Sequence, residues 1–215
     1  MPNWCHNTLF VEGDLDELVD FKSKVLVQSD HEKGALDFTM EVLHPTPPEL
    51  LEMTSPVVWR GEEGDEEGKR AFEEHAKAIE EKYGHSDWYS WRVSNWGTKW
   101  NATDSWIDEH NGEALTIEYD TAWGPNTLFV KFASEKYPKL KFRLLYEEPG
   151  CNFCGELVCE AGEVQFDDES ELEYQDQDAN LVEYDNEIER WRIIESGEVI
   201  DDEDFYPCSI NPFAE

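Results

Sequence analysis

The sequence predicts an α+β protein of the ferredoxin-like class, a split β-α-β fold with a four-stranded antiparallel sheet. The main observation is that two β-α-β units follow one another, at residues 7–43 and 114–148. The second observation is the segment between them, residues 44–113, which is too long for a bare loop in a compact domain. We therefore predict a Trp-rich helical insertion between strands 2 and 3.

The first β-α-β unit begins with a strand at residues 7–13, which ends at a glycine. Asp14 is predicted to cap the helix that follows, because Glu17 stands three residues later, as in a capping box. Residues 35–43 then alternate apolar and polar side chains, which is typical of a half-buried strand.

The inserted segment is predicted to contain a helix at residues 69–83, ended by Gly84, and a Trp-rich stretch at residues 86–106. This stretch holds five of the nine tryptophans, at spacings of three and four that place rings on one face of a helix. A ferredoxin-like fold packs both of its helices on one face of the sheet. We therefore expect the Trp-rich stretch to cover the opposite face.

The second β-α-β unit is predicted to continue into a hairpin. Pro125 and Asn126 mark the start of its helix, and Ala161 and Gly162 suit a two-residue hairpin turn. The predicted strand, helix, strand and two hairpin strands are residues 114–120, 127–137, 139–148, 156–160 and 163–166.

The charge is extreme, with a formal net value of −34. It disfavours nucleic acids and membranes as direct partners and favours basic proteins. Half of it lies between Glu160 and Asp204, where 19 aspartates and glutamates accompany two arginines. Residues 1–166 are predicted to form the ferredoxin-like domain with its inserted subdomain, 44–113. Residues 167–215 are predicted to form an acidic C-terminal extension packed on that domain.

Several motifs resemble one known family. They are MPNWCHNTLFVEG, WYSWRVSNWGTKWNA, TAWGPN and YEEPGCNFCG, which together span about residues 1–160. They resemble the YubB-type ferredoxin-like domain family of bacteriophage and plasmid proteins. The resemblance implies a ferredoxin-like domain with the Trp-Gly-Thr-Lys-Trp stretch inserted before the third strand. It also implies a mobile-element origin and a bacterial cytoplasm, but no activity, cofactor or catalytic residue.

The cysteines offer a possible metal site that we do not predict. Cys151 and Cys154 have CxxC spacing, and Cys159, Cys5 and His6 could complete a tetrahedral zinc site. However, no second CxxC occurs, and cysteines are often simply buried. The odd number of cysteines and the absence of a signal segment predict reduced thiols in a soluble, intracellular protein.

No pattern in the sequence indicates catalysis. Phosphate loops, GxSxG elbows, dinucleotide fingerprints and EF-hand loops are all missing, and the six histidines are scattered. The sequence therefore predicts no enzyme, no metal and no cofactor.

The acidic segment instead predicts a binding function. A surface with closely spaced carboxylates could act as a DNA mimic, an inhibitor or decoy for a basic or nucleic-acid-binding host protein involved in defence. A solvated face without a partner is the other interpretation of this charge. The predicted partner-binding residues are Glu169, Glu171, Glu173, Asp176, Asp178, Glu183, Asp185, Glu187, Asp201, Asp202, Glu203 and Asp204.

The Trp-rich stretch offers an alternative function. An enzyme or small-ligand binder would have a pocket lined by Trp96, Lys99, Trp100 and Trp123, with the rings as a stacking platform and the lysine as a polar contact.

Overall fold

The computed structural model describes residues 2–31, 33–176, 180–185, 190–200 and 205–207. The helices within these residues are α1 (Leu15–Val25), α2 (Pro48–Leu51), α3 (Glu66–Tyr83), α4 (Trp88–Trp96) and α5 (Thr127–Lys136). The strands are β1 (Trp4–Gly13), β2 (Leu26–Gln28), β3 (Leu36–Phe38), β4 (Thr103–Asp108), β5 (Ala114–Ala122), β6 (Leu140–Glu148), β7 (Phe153–Glu160), β8 (Glu163–Glu171), β9 (Tyr174–Asp176), β10 (Leu181–Asp185), β11 (Arg190–Ile193), β12 (Val199–Ile200) and β13 (Phe205–Pro207).

Six strands form the main antiparallel sheet, in the order β4-β5-β1-β6-β7-β8. β1, α1, β4, β5, α5 and β6 follow the β-α-β-β-α-β order of the ferredoxin-like fold. The ferredoxin-like α+β fold with an antiparallel sheet is therefore confirmed. The predicted count of four strands is wrong, because β7 pairs with β6 along its whole length and β8 pairs with β7.

The core lies between this sheet and helices α1 and α5. Phe21 of α1 packs edge-on against Phe142 of β6, with 5.3 Å between the ring centroids, and Phe129 of α5 is fully buried. Strand β1 alternates between the two faces of the sheet, as period-two geometry requires. Its buried side chains, which share the face towards the helices, are Cys5, Asn7, Leu9 and Val11.

Three predictions about caps and turns are confirmed. The Asp14 carboxylate accepts a hydrogen bond from the backbone N–H of Glu17 at 3.1 Å, so it caps α1. Gly84 ends α3 in the left-handed conformation, with φ of 71°. Ala161 and Gly162 both have positive φ, 51° and 79°, which matches the twist of a tight hairpin turn.

The predicted second strand, residues 35–43, is wrong. Only β3 is extended there, and it pairs with β2 in a separate two-stranded sheet. Along the chain, the second strand of the main sheet is β4. The helical segment therefore lies between the first and second strands of this sheet, and not between the second and third as predicted. The apolar alternation has another cause: Phe38 and Met40 fill the core, and the Phe38 ring lies 4.6 Å from that of Tyr119.

The Trp-rich stretch does not cover the open face of the main sheet, contrary to expectation. Helix α4 packs against α5, and the Trp96 indole N–H donates to the backbone carbonyl of His44 at 2.9 Å. The His44 ring in turn stacks on Phe132 of α5. On the open face, Trp106 of β4 is 54% exposed. The buried indole explains this placement, because its N–H requires an acceptor, which the loop at His44 provides.

A second antiparallel sheet follows, with the order β12-β11-β10-β9-β13. Val182 of β10 and Leu172, which lies between β8 and β9, are buried. The domain boundary predicted after residue 166 falls inside β8, a strand of the main sheet. Within the described part of the chain, no helix has both the length and the apolar character needed to cross a membrane.

Candidate functional site

Strand β8 lies at one edge of the main sheet, and all nine of its residues are exposed. Residues two apart share a side of a strand and lie about 7 Å from each other, since each residue rises about 3.4 Å. Asp167, Glu169 and Glu171 therefore form one row of carboxylates, and Lys131 of α5 contacts the first of them at 3.3 Å. We call this strand the acidic edge; its carboxylates are Glu163, Asp167, Asp168, Glu169 and Glu171.

The negative charge of the acidic edge affects a tyrosine side chain inside the sheet. The hydroxyl of Tyr146 lies under β8 and donates a hydrogen bond to Glu169 at 3.4 Å. Burial raises the pKa of Tyr146, and the negative charges of Glu169 and Asp167 raise it further. A cation brought to this edge would therefore meet a negative potential.

The other predicted partner-binding residues are divided between two surroundings. Glu173 follows the acidic edge, whereas Glu183 and Asp185 lie in β10 of the second sheet. The guanidinium of Arg192 lies 2.8 Å from Glu183 and 3.2 Å from Asp185, so this arginine offsets part of their charge. Asp176 lies in β9. Outside the described residues lie Asp178, Glu187, Asp201, Asp202, Glu203 and Asp204.

A cleft of about 810 Å³ separates the end of the acidic edge from the second sheet. Three aromatic rings line it, and the Trp191 ring lies 5.0 Å from Tyr174 and 5.6 Å from Tyr184, both edge-on. Glu171 and Glu173 line the same cleft. The cleft thus joins an aromatic surface to the end of the row of carboxylates.

The sequence interpretation missed this cleft. It predicted an acidic C-terminal extension packed on the domain, yet Tyr184 is 44% exposed. A usable signal was present in LVEYD, where apolar Val182 and Tyr184 alternate with Glu183 and Asp185 as in a strand. The pairing of Glu183 with Arg192 across two strands had no such signal, because it depends on the register.

The alternative pocket assembles only in part. The Lys99 ammonium lies 3.9 Å from the centroid of the Trp100 ring and 5.7 Å from that of Trp123. Trp4 of β1 adds a third ring, 6.3 Å from Trp100. Trp96 does not take part in this cluster, because it is fully buried beside α5.

The cysteines and His6 do not converge. Cys5 and Cys159 are buried on the helix side of the sheet, where burial raises the pKa of both thiols, that of Cys159 to about 11. Cys154 contacts the Ser170 hydroxyl at 3.5 Å, and the ring of His6 lies 2.6 Å from Asp120. Among the described residues, no three histidine, cysteine or acidic side chains could hold one metal ion.

The two remaining cysteines are Cys151 and Cys208. Cys151 lies in the exposed turn before β7, where a hydrogen bond to Glu148 raises the pKa of its thiol. A raised pKa keeps a thiol protonated at neutral pH, which makes it a weak nucleophile. Cys208 lies outside the described residues.

The comparison with protein-family models supports the ferredoxin-like fold. Residues 95–190 match the family model described as "Ferredoxin-like domain in Api92-like protein". The chain is also similar to the crystal structure of the protein api92 from Yersinia pseudotuberculosis, with 11% identity and a TM-score of 0.47. That similarity covers 80% of this chain and 98% of the other. No curated protein matches the chain.

Proposed function

We propose that the protein acts by binding, as an acidic inhibitor or DNA-mimic decoy of a nucleic-acid-binding host protein. The observation that carries this proposal is the acidic edge, in which every residue is exposed and five of nine are carboxylates. A DNA duplex presents one negative charge per about 1.7 Å of its axis, so a basic groove that binds DNA is suited to a dense row of carboxylates.

The sequence resemblance to phage and plasmid proteins supports the choice of partner. A protein carried by a mobile element meets the defence proteins of its host, many of which handle nucleic acids in the bacterial cytoplasm. The same proposal includes membership of the YubB-type family, the Trp-rich insertion and the acidic C-terminal extension.

The test compares two variants that lose the same charge. One carries E163Q, D167N, D168N and E169Q on the acidic edge, and the other carries E73Q, E74Q, E80Q and E81Q on the exposed face of α3. The proteins are immobilised and exposed to a bacterial lysate at low and at raised salt, and retained proteins are identified by mass spectrometry. We expect the acidic-edge variant to retain at least about tenfold less of a nucleic-acid-binding protein than wild type.

Competition separates a decoy from a simple ion exchanger. Duplex DNA should release the retained protein at charge concentrations at which polyglutamate does not. Equal retention by the two quadruple variants, or equal release by the two polyanions, would show that bulk charge alone is responsible and would refute the proposal.

A second candidate function, the binding of a small ligand, is favoured by the cluster of Lys99, Trp100 and Trp123. The two exposed rings could stack a planar ligand, and the ammonium could contact an anionic group on it. A nucleotide such as adenosine monophosphate that raises the Tm of wild type, but not of W100A, would support this function.

A further inference from the structure

We propose that the cleft between the two sheets is an anchor site for a cationic side chain, an arginine or lysine on an extended segment of the basic partner. This inference rests on the proposed function and deepens it, because it assigns a specific contact to that partner. The cleft begins where the acidic edge ends, so a segment lying along β8 would reach it.

The charge of the cleft selects a cation. Glu171, Glu173 and Glu183 line it, and its described lining residues include no lysine, arginine or histidine. Arg192, which is not among the lining residues, pairs with Glu183. An incoming cation would also meet the charges of Glu171 and Glu173, which are both exposed.

The aromatic lining selects the same kind of ligand. Ring faces carry negative electrostatic potential, and cations bind over them most strongly where water is partly excluded. The Trp191 ring meets the rings of Tyr174 and Tyr184 edge-on, and all three residues line the cleft. A guanidinium stacks on such rings better than an ammonium, so arginine should bind more tightly than lysine.

The apolar lining of the cleft suits an aliphatic stem. Leu172 and Val182 are both almost fully buried and line the cleft. The methylene groups of arginine or lysine can pack on such residues while the charged end remains near the carboxylates. The volume of about 810 Å³ is more than one side chain fills, which leaves room for part of the peptide backbone.

The probe is the peptide acetyl-Ala-Ala-Arg-Ala-Ala-amide, and its control has citrulline, a neutral isostere, in place of arginine. Binding is followed on the full chain by ¹H–¹⁵N NMR through the indole N–H of Trp191, assigned with W191F. We expect the arginine peptide to shift this signal with a Kd of about 1 mM or tighter. The citrulline peptide should bind at least about tenfold more weakly.

Variants locate the binding. E171Q/E173Q, both exposed positions at the cleft, should weaken binding of the arginine peptide at least about fivefold, and Y184L should do the same without changing the charge. E74Q/E80Q removes two charges from the exposed face of α3, outside both the cleft and the acidic edge, and should leave the Kd unchanged. These pairs separate a site from diffuse attraction.

Three results of the peptide titrations would overturn the anchor site. They are equal binding of the citrulline peptide, equal weakening by E74Q/E80Q, and no shift of the indole signal at about 10 mM arginine peptide. If E171Q/E173Q still retains the lysate partner while the acidic-edge quadruple variant does not, the anchor site fails and the proposed function stands.

Discussion

His44 is packed between two aromatic side chains. Its ring stacks on Phe132 at 3.8 Å between centroids and meets Trp91 edge-on at 5.0 Å. Its Nδ1 is buried and makes no hydrogen bond with the described residues. Burial lowers the pKa of His44, the Lys136 charge lowers it further, and Glu41 opposes both.

The lowered pKa of His44 predicts a dependence of stability on pH. The unfolded histidine has a pKa of about 6.5, so below this value the unfolded chain binds more protons than the folded chain. Stability contributed by the neutral ring is complete above about pH 6.5 and is lost as the pH falls towards the lower folded-state pKa. In H44F, the unfolding free energy from urea titrations should fall less between about pH 7.5 and 5.5 than in wild type.

The control for H44F is H75Q, which changes an exposed histidine on α3. It should keep the wild-type dependence on pH. If H44F and wild type lose the same amount of stability over this range, the carboxylates and not His44 control the response.

At the scale of elements, the Trp-rich stretch divides among three environments. Asp87 caps α4, accepting from the backbone N–H of Ser90, and Gly97 ends the helix with φ of 90°, before Trp100. The spacing of four between Trp96 and Trp100 therefore does not place them on one helix. Trp96 enters the core, Trp100 lies in a loop, and Trp106 lies on the open face in β4.

This division predicts that two tryptophan substitutions lower the unfolding free energy by very different amounts. W96A removes a fully buried ring and its hydrogen bond to the His44 carbonyl, so it should lower the unfolding free energy by about 3–5 kcal/mol. W106A removes a half-exposed ring from an edge strand and should cost less than about 1 kcal/mol. Urea denaturation of both variants measures the difference; similar costs would mean that Trp106 is buried in solution.

The acidic edge has a structural role that is compatible with binding. An edge strand presents unpaired N–H and C=O groups and can pair with another copy of the chain. Two copies of β8 would bring like charges together, because each carries five carboxylates and no lysine or arginine. These charges therefore oppose self-association, and the proposed binding of a basic partner depends on the same charges.

Strand β4 shows why one element was missed. Its sequence, TDSWID, is short and polar, and Asp104 has a φ of 49° at an irregularity in the pairing with β5. Period-two alternation is therefore interrupted inside the strand. It is held in place by β5 and by contacts such as the Ser105 hydroxyl accepting from the backbone N–H of Phe38 at 3.1 Å.

For the whole molecule, the net charge of −34 must oppose folding by self-repulsion. Salt screens such repulsion, because the Debye length falls from about 10 Å at 0.1 M to about 3 Å at 1 M. We expect the urea midpoint to rise over this range of NaCl. The acidic-edge quadruple variant, with four fewer charges, should gain less; an equal gain would point to a general salt effect on burial.

The sequence by itself determined the local features of this protein. Helix α3 and its Gly84 end, the Asp14 cap, the hairpin turn at Ala161 and Gly162, and the acidity of β8 all follow from residues near one another in the chain. The charge of the candidate site was therefore predictable from the sequence. Its aromatic cleft was not, since the cleft depends on where the second sheet lies beside β8.

Only the tertiary structure decided which strand pairs with which and which face each tryptophan occupies. The local sequence pattern predicted that residues 35–43 form the second strand of the main sheet. In the structure, that strand is β4, at Thr103–Asp108. Trp96 settles beside α5 because its indole N–H finds the His44 carbonyl there, 52 residues away along the chain. Such long-range pairings depend on burial and on hydrogen-bond partners that meet only after the chain has folded.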